Sequence, residues 1–243
     1  MFNKKVIYPN ICTVGNLFCG FFAIVSIVNN NYIQGAWLII LGTFFDGLDG
    51  WVARLTRGTS QFGIEFDSLA DLITSGLAPS LLVYKLVLSN MGLLGIVICF
   101  VPVFCGAFRL ARFNVQTRKT AKKFFMGMPI PLFSLTIASY VIFNYDIWGE
   151  IRVQGSLVPL MLFLSLLMVS TIRYQGLPHL STRDVKKLNS RFFFYISVCL
   201  ALVFYTEQTG FPIIFGIVLW GLFKGILTYI HQEGKDELAD ISL

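Results

Sequence analysis

Long apolar stretches recur along this chain of 243 residues, and they limit the folds that it can adopt. Hydrophobic residues make up 56% of the chain and charged residues only 13%, whereas about a quarter is usual for a soluble domain. A helix of about 20 apolar residues crosses the ~30 Å hydrocarbon core of a bilayer. The sequence therefore predicts an all-α, polytopic integral membrane protein. About eight spanning helices are predicted, at residues 11–29, 33–54, 64–88, 91–112, 127–145, 155–173, 191–206 and 211–230.

Basic residues are spread unevenly over the segments between these helices. If the N-terminus is cytoplasmic, all of the 19 lysines and arginines except Lys85 and Arg152 lie in cytoplasmic segments. Lysine and arginine are enriched in cytoplasmic loops, so both termini are predicted on the cytoplasmic side of the cytoplasmic (inner) membrane. The net charge of +6 then reflects contact with anionic membrane lipids, and no nucleic-acid partner is expected.

Four aspartates lie between residues 46 and 71, where the predicted second helix ends and the third begins. Asp46 and Asp49 are three residues apart and Asp67 and Asp71 are four apart, so each pair shares one face of its helix. An ionised carboxylate in or near hydrocarbon is costly and indicates a functional site by default. We therefore expect an active site at the cytoplasmic ends of helices two and three.

The chemistry of carboxylates indicates what this site binds. Their oxygens suit hard cations such as Mg²⁺, Mn²⁺ or Ca²⁺, and the chain has no histidines or cysteines at zinc-ligand spacing. Two such ions held close together clamp a phosphoryl group and stabilise its in-line displacement. In the alternative, the carboxylates only pair with Arg54 and Arg57 at the membrane surface, although two arginines cannot satisfy four carboxylates.

A divalent-cation transporter is a second class of protein that places carboxylates within a membrane. Its binding site is expected near the bilayer midplane, often on interrupted helices from repeated halves of the chain. Here the aspartates cluster at one membrane face, and the latter half of the chain has no second D-x-x-D pattern. The sequence therefore favours an enzyme over a transporter.

Residues 46–71 resemble the signature of the CDP-alcohol phosphotransferase family. The signature reads D-x-x-D-G-x-x-A-R, then eight residues, then G-x-x-x-D-x-x-x-D. Its fixed positions match Asp46, Asp49, Gly50, Ala53, Arg54, Gly63, Asp67 and Asp71. Members of this family cleave the pyrophosphate of a CDP-linked lipid, transfer the phosphatidyl group to an alcohol and release CMP. The resemblance implies that this chain does the same, as a homodimer.

The resemblance also implies a role for each matching residue. The ligands of two divalent cations, Mg²⁺ or Mn²⁺ with Ca²⁺ as an alternative occupant, would be Asp46, Asp49, Asp67 and Asp71. The catalytic general base that takes the proton of the attacking hydroxyl would be Asp71. The CDP-lipid site would be lined by Gly50, Ala53, Arg54 and Gly63.

A polar stripe enters the first predicted helix from the cytoplasmic side. Asn10, Thr13 and Asn16 follow one another at intervals of three residues. Polar groups at the start of a helix can donate hydrogen bonds to phosphate oxygens, which predicts that these three bind the CDP-lipid. Helix capping and hydrogen bonds between helices are the alternative.

A second cluster, Arg109, Arg112 and Asn114, lies at the cytoplasmic end of the fourth predicted helix. The two arginines are one turn apart and at the membrane depth of the aspartates. An arginine fork matches a carboxylate, and serine is an alcohol that carries one, so these three residues are predicted to bind serine. Anchoring by the positive-inside rule is the alternative.

Three further segments, 67–79, 125–131 and 167–174, resemble the branch of the family that makes phosphatidylserine. The implied reaction transfers the phosphatidyl group from CDP-diacylglycerol to L-serine, with glycerol phosphate, inositol and inositol phosphate as alternative acceptors. We expect one membrane-embedded domain over residues 1–243. Within it, helices seven and eight (about 191–230) would be peripheral and residues 233–243 a polar tail.

Overall fold

The computed structural model describes residues 4–56, 60–119, 125–149, 154–174 and 208–227. Within these ranges the chain is helical except for turns and two strands of two residues each. The helices are α1 (Lys4–Val28), α2 (Tyr32–Thr56), α3 (Gln61–Asp71), a first π-helix (Leu72–Leu77), α4 (Ala78–Val83), a second π-helix (Tyr84–Leu88), a short 3₁₀-helix (Ser89–Met91), α5 (Gly92–Lys119), α6 (Ile130–Trp148), α7 (Gln154–Val169) and α8 (Gln208–Leu227). The strands are β1 (Phe125–Met126) and β2 (Arg173–Tyr174).

The helices are of the kind that crosses a membrane, as the sequence predicts. Five helical stretches are long and apolar enough: Pro9–Val28, Tyr32–Ala53, Gln61–Gln116, Ile130–Trp148 and Gln208–Leu227. The stretch Gly155–Val169 is apolar but shorter. The all-helical, polytopic architecture is therefore confirmed. The count of eight stays a prediction, because the seventh predicted helix, 191–206, lies outside the described residues.

Helices α1 and α2 form an antiparallel hairpin. The turn uses Asn30, whose φ of 64° is in the left-handed region that asparagine tolerates. The helices then approach closely, because a Cβ on Gly35 would lie 2.6 Å from Ile27 and a Cβ on Gly42 would lie 3.2 Å from Cys19. This packing places the start of α1 beside the end of α2.

The chain segments on either side of Gly92 form a second antiparallel hairpin. Gly92 has a φ of 57°, and the chain reverses there. Gly95 then lies against Leu88, and Gly106 lies near Leu72. Pairing in this register brings the last turns of α5 beside α3.

Helix α6 lies at the centre and joins the two hairpins. Phe133 and Ile137 are fully buried within the apolar core. Ser134 contacts Thr43 of α2 at 3.1 Å and donates to Ser75 of the first π-helix at 3.1 Å. In the described part of α8, Phe211 packs edge-on against Tyr140 of α6, with ring centroids 4.9 Å apart. The core therefore holds the two hairpins in one fixed arrangement.

The segment before α6 is held against the end of α7. β1 pairs with β2 in antiparallel register. The backbone N–H groups of Gly127 and Met128 donate to the carbonyls of Ile172 and Leu167, each at 3.0 Å. The fifth predicted helix, placed at 127–145, consequently begins at Ile130 and ends at Trp148.

Candidate active site

The four aspartates of the signature meet where the end of α2 faces α3. One carboxylate oxygen from each of Asp46, Asp49 and Asp67 lies within 4.8 Å of the other two. Asp71, one turn beyond Asp67, lies within hydrogen-bonding reach of Asp46, and Asp67 has the same relation to Asp49. The carboxylates thus pair across the two helices.

These carboxylates fit a divalent cation. Asp49 is 4% and Asp71 is 7% exposed, so their charges are largely removed from water. Oδ1 of Asp67 is buried and accepts no hydrogen bond from any described residue. Buried like charges at such distances repel one another strongly unless a counter-charge lies among them. Three converging carboxylate oxygens are the ligands that Mg²⁺, Mn²⁺ and Ca²⁺ prefer.

The polar stripe of α1 is directed at these carboxylates. The Thr13 hydroxyl lies 2.8 Å from Oδ2 of Asp49 and 3.3 Å from the Pro9 carbonyl. The Asn16 amide donates to Oδ1 of Asp71 at 3.2 Å. These are the interhelical hydrogen bonds that the sequence left as an alternative. Direct contact of Thr13 and Asn16 with CDP-lipid stays a prediction.

The third member of the stripe, Asn10, lies beside the signature glycine at position 63. A Cβ on Gly63 would lie 3.3 Å from Oδ1 of Asn10 and 3.1 Å from the Ser60 hydroxyl. Ser60 is the N-cap of α3, since its hydroxyl accepts from the Gly63 N–H at 3.0 Å. This cap starts α3 nearly two turns before Asp67. This cap was not predicted from the sequence, although a serine before an apolar run is an ordinary N-cap signal.

Two further signature positions extend the face of α2 that carries Asp46. Gly50 and Ala53 follow Asp46 at helical spacing, and both are half-buried. The exposed Gly47 has open space around it, because a Cβ there would meet no atom of the described chain within 4 Å. The small residues leave room beside the carboxylates for a ligand. The Arg54 side chain lies outside the described part of the structure.

Arg109 of α5 adds a buried positive charge near the carboxylates. Its charge interacts with the carboxylates of Asp71 and Asp46, and the side chain is only 7% exposed. Its Nε–H is buried and donates to no described residue. The guanidinium therefore offsets part of the negative charge and has a donor available for an anionic ligand.

The other two residues predicted to bind serine make contacts with the protein. Arg112 donates to the carbonyls of Val169, Met168 and Ser170 at 3.1, 3.5 and 3.3 Å, at the end of α7. The Asn114 amide donates to Ser68 at 3.0 Å and to Glu65 at 3.1 Å. These contacts join α5 to α7 and α3. A serine-binding role for Arg112 and Asn114 stays a prediction.

Two hydroxyl residues beside the site had no assigned role in the sequence analysis. Thr74 and Ser75, both fully buried, lie in the first π-helix, directly after Asp71. Thr74 donates to the Asn16 carbonyl at 3.0 Å, and Ser75 accepts from Ser134 at 3.1 Å. Two adjacent hydroxyls one turn after an aspartate, within an apolar run, are a signal that could have identified them.

Comparisons with known proteins relate this chain to one family of enzymes. A model of the CDP-alcohol phosphatidyltransferase family matches residues 6–169. The CDP-diacylglycerol–serine O-phosphatidyltransferase of Helicobacter pylori is 36% identical over 225 residues, covering 90% of this chain and 92% of its own length. The enzyme of the same name from Bacillus subtilis is 36% identical, covering 75% and 96%. The archaetidylserine synthase of Methanothermobacter thermautotrophicus is 34% identical and covers 68% of each chain.

Proposed function

Since the chain belongs to the CDP-alcohol phosphatidyltransferase family, we infer that it transfers the phosphatidyl group of CDP-diacylglycerol to the hydroxyl of L-serine. The serine oxygen bonds to the phosphorus that carries the diacylglycerol, and the bond from that phosphorus to the CMP oxygen breaks. The products are phosphatidylserine and CMP. The observation that carries this function is the convergence of the signature aspartates, with three carboxylate oxygens within 4.8 Å of one another.

Asp46, Asp49 and Asp67 would hold divalent metal ions at this site. We propose two ions, Mg²⁺ or Mn²⁺, with Asp71 completing the ligand set. When bound, such ions neutralise the pyrophosphate and polarise its oxygens. The buried Oδ1 of Asp67, which has no hydrogen-bond partner within the described ranges, supports this proposal.

Asp71 would take the proton from the serine hydroxyl. A general base must be held within hydrogen-bonding reach of the group that it deprotonates. The Asn16 amide fixes one oxygen of the Asp71 carboxylate, and Asp46 lies next to it. The base is thereby oriented at the edge of the carboxylate cluster, where an acceptor alcohol would meet the activated phosphorus.

The CDP-lipid would lie along the small residues beside the carboxylates. Gly50 and Ala53 extend the Asp46 face of α2, and the open space at Gly47 adjoins them. Gly63 and Asn10 lie close together across α3 and α1. Arg54 is assigned to this site from the family signature alone. Thr13 and Asn16 would act on the lipid chiefly through Asp49 and Asp71, to which they are bonded.

Serine would be recognised through its carboxylate. The Arg109 guanidinium is buried beside Asp71, and its Nε–H is free of partners in the described chain. A carboxylate that paired with Arg109 would bring the serine hydroxyl toward Asp71. Arg112 and Asn114, on the following turns of α5, would border this pocket. Glycerol phosphate, inositol and inositol phosphate lack this carboxylate.

The membrane arrangement is also part of the proposal. Nearly all lysines and arginines fall in segments that share one side with the site, which supports a cytoplasmic active site and cytoplasmic termini. Water-soluble serine and CMP would then enter and leave from the cytoplasm. We also propose a homodimer, on the family resemblance, with α8 at the periphery.

The test uses the purified full-length protein in detergent with CDP-diacylglycerol, labelled serine and Mg²⁺ or Mn²⁺. We expect CMP and labelled phosphatidylserine in equal amounts. Parallel reactions replace serine with glycerol phosphate, inositol or inositol phosphate. CMP release with one of these but not with serine would keep the family chemistry and remove the serine assignment. No CMP with any acceptor would contradict the proposed function.

A further inference from the structure

Thr74 lies where the first π-helix meets α1 and α2, and it contacts both of these helices. It is 0% exposed and lies in the first π-helix, which begins directly after Asp71. Its side chain fills the space left by two glycines, since a Cβ on Gly20 of α1 would overlap the Thr74 hydroxyl and a Cβ on Gly42 of α2 would lie 2.5 Å from the Thr74 methyl group. Neither glycine could carry a side chain without displacing Thr74.

The Thr74 hydroxyl is bonded to the same residue that orients the proposed base. It donates to the backbone carbonyl of Asn16 at 3.0 Å, while the Asn16 side chain donates to Asp71 at 3.2 Å. Thr74, Asn16 and Asp71 therefore form a closed loop of contacts, in which only two residues of chain lie between Asp71 and Thr74. In such a loop the position of the Asn16 backbone determines where its amide reaches.

The π-helical geometry explains why Thr74 can make this contact. A π-helix contains an extra residue per turn relative to an α-helix, which rotates the side chains that follow it, and such segments are frequent at functional sites. In the Leu72–Leu77 segment, Thr74 is directed at α1 while the adjacent Ser75 is directed at Ser134 of α6. Neighbouring hydroxyls thus serve two different helices.

We propose that Thr74 is a positioning residue. It fixes the position of α1 relative to Asp71, and so it places the Asn16 amide on the catalytic carboxylate. This inference depends on the proposed function, because it assumes that Asp71 is the base. The hydroxyl sets the hydrogen bond to Asn16, and the methyl group fills the space between the glycines. Removing the hydroxyl alone should therefore misplace Asn16 without opening a cavity.

The test compares Thr74→Val, which keeps the shape and loses the hydroxyl, with Thr74→Ser, which keeps the hydroxyl. We expect Thr74→Val to lower kcat about tenfold, which is near the largest effect usual for the loss of one hydrogen bond. The KM for CDP-diacylglycerol should stay within about twofold of the wild-type value. Thr74→Ser should retain most of kcat. Ser75→Ala is the matched control, since it removes an adjacent, equally buried hydroxyl that is bonded to Ser134 instead of Asn16.

A double variant separates positioning from general packing. In the Asn16→Ala background, Thr74→Val should have little further effect, because the residue through which it acts is already gone. The inference would be overturned if the two substitutions lowered kcat independently, so that their effects multiplied in the double variant. It would also be overturned if Thr74→Val and Ser75→Ala lowered kcat equally, or if Thr74→Val left kcat unchanged. The kcat of each variant is compared with that of the wild type, using whichever acceptor alcohol the wild type uses. The test therefore stays valid even if that acceptor is not serine.

Discussion

Asn16 and Asp71 are 55 residues apart in the sequence and are joined by a hydrogen bond of 3.2 Å from the Asn16 amide to Oδ1 of Asp71. The carboxylates come from α2 and α3, so this bond brings a third helix into the site. Thr13 makes the equivalent contact one turn earlier, with Asp49 at 2.8 Å. Helix α1 therefore positions two of the four aspartates through hydrogen bonds.

Removal of this bond should affect turnover more than lipid binding. We expect Asn16→Ala to lower kcat at least about tenfold, because a buried carboxylate loses a donor, and to change the KM for CDP-diacylglycerol little. Ser26→Ala, which alters a buried polar residue elsewhere on α1, is the control. Initial rates at varied CDP-diacylglycerol give both constants. A raised KM with unchanged kcat would instead support the direct lipid contact predicted from the sequence.

The apolar helices and the convergence of the signature aspartates could be predicted because they follow from local features. Apolar length indicates a spanning helix, and a turn such as Asn29–Asn31 is too short for any arrangement except an antiparallel hairpin. The spacing of Asp46, Asp49, Asp67 and Asp71 then determines which faces meet. The structure places three of these carboxylates together, as this reasoning requires.

Contacts that depend on distant residues could not be predicted. Leu72–Leu77 has an apolar pattern that fits an α-helix equally well, and packing of Thr74 and Ser75 against other helices accompanies the π-helical geometry. Arg112 reaches carbonyls at the end of α7, about 57 residues away, whose position depends on the whole bundle. The sequence around a basic residue at a helix end does not indicate which group it will contact in the folded protein.

Asp71→Asn should abolish catalysis while largely sparing the binding of CDP-diacylglycerol. The amide cannot accept the proton of serine, and loss of a general base typically costs about 10²-fold or more in rate. Single-turnover rates and equilibrium binding of CDP-diacylglycerol separate the two effects. The control is Asp146→Asn, an exposed aspartate of α6. Retained activity in Asp71→Asn would remove its role as base.

Removal of the metal should stop the reaction reversibly. We expect a chelator to abolish CMP release and added Mg²⁺ or Mn²⁺ to restore it, because the converging carboxylates need a cation to offset their charge. Mn²⁺ binding, followed by electron paramagnetic resonance of the free ion, should weaken at least about tenfold in Asp49→Asn and Asp67→Asn, since each loses one charged ligand. Asp146→Asn should bind Mn²⁺ like the wild type. Unaltered Mn²⁺ binding in both site variants would contradict the proposed ligand set.

Arg109 and Arg112 should respond differently to substitution. Arg109→Lys keeps the charge but loses the guanidinium fork, so the KM for serine should rise about tenfold with a smaller change for CDP-diacylglycerol. Arg112→Ala is predicted from the sequence to raise the serine KM more than the lipid KM. The carbonyls that it would leave without their donor add a second expectation, a lower Tm in detergent. Equal changes in both KM values for Arg112→Ala would favour a structural role alone.

Gly127 should be the least replaceable glycine near the end of α7. Its φ of 84° is unfavourable for any residue with a side chain, and a Cβ there would overlap the Met168 carbonyl oxygen and lie 3.0 Å from the Arg112 guanidinium. Gly127→Ala should therefore cost about 1–3 kcal/mol in strain and lower the Tm in detergent by several degrees.

Gly155→Ala is the matched control, because that glycine lies in α7 and a Cβ there would meet nothing within 4 Å among the described residues. Its Tm should stay equal or rise slightly, as helix propensity favours alanine. Similar Tm values for both variants would mean that the Gly127 turn adjusts freely, and that Arg112 does not depend on it for its position.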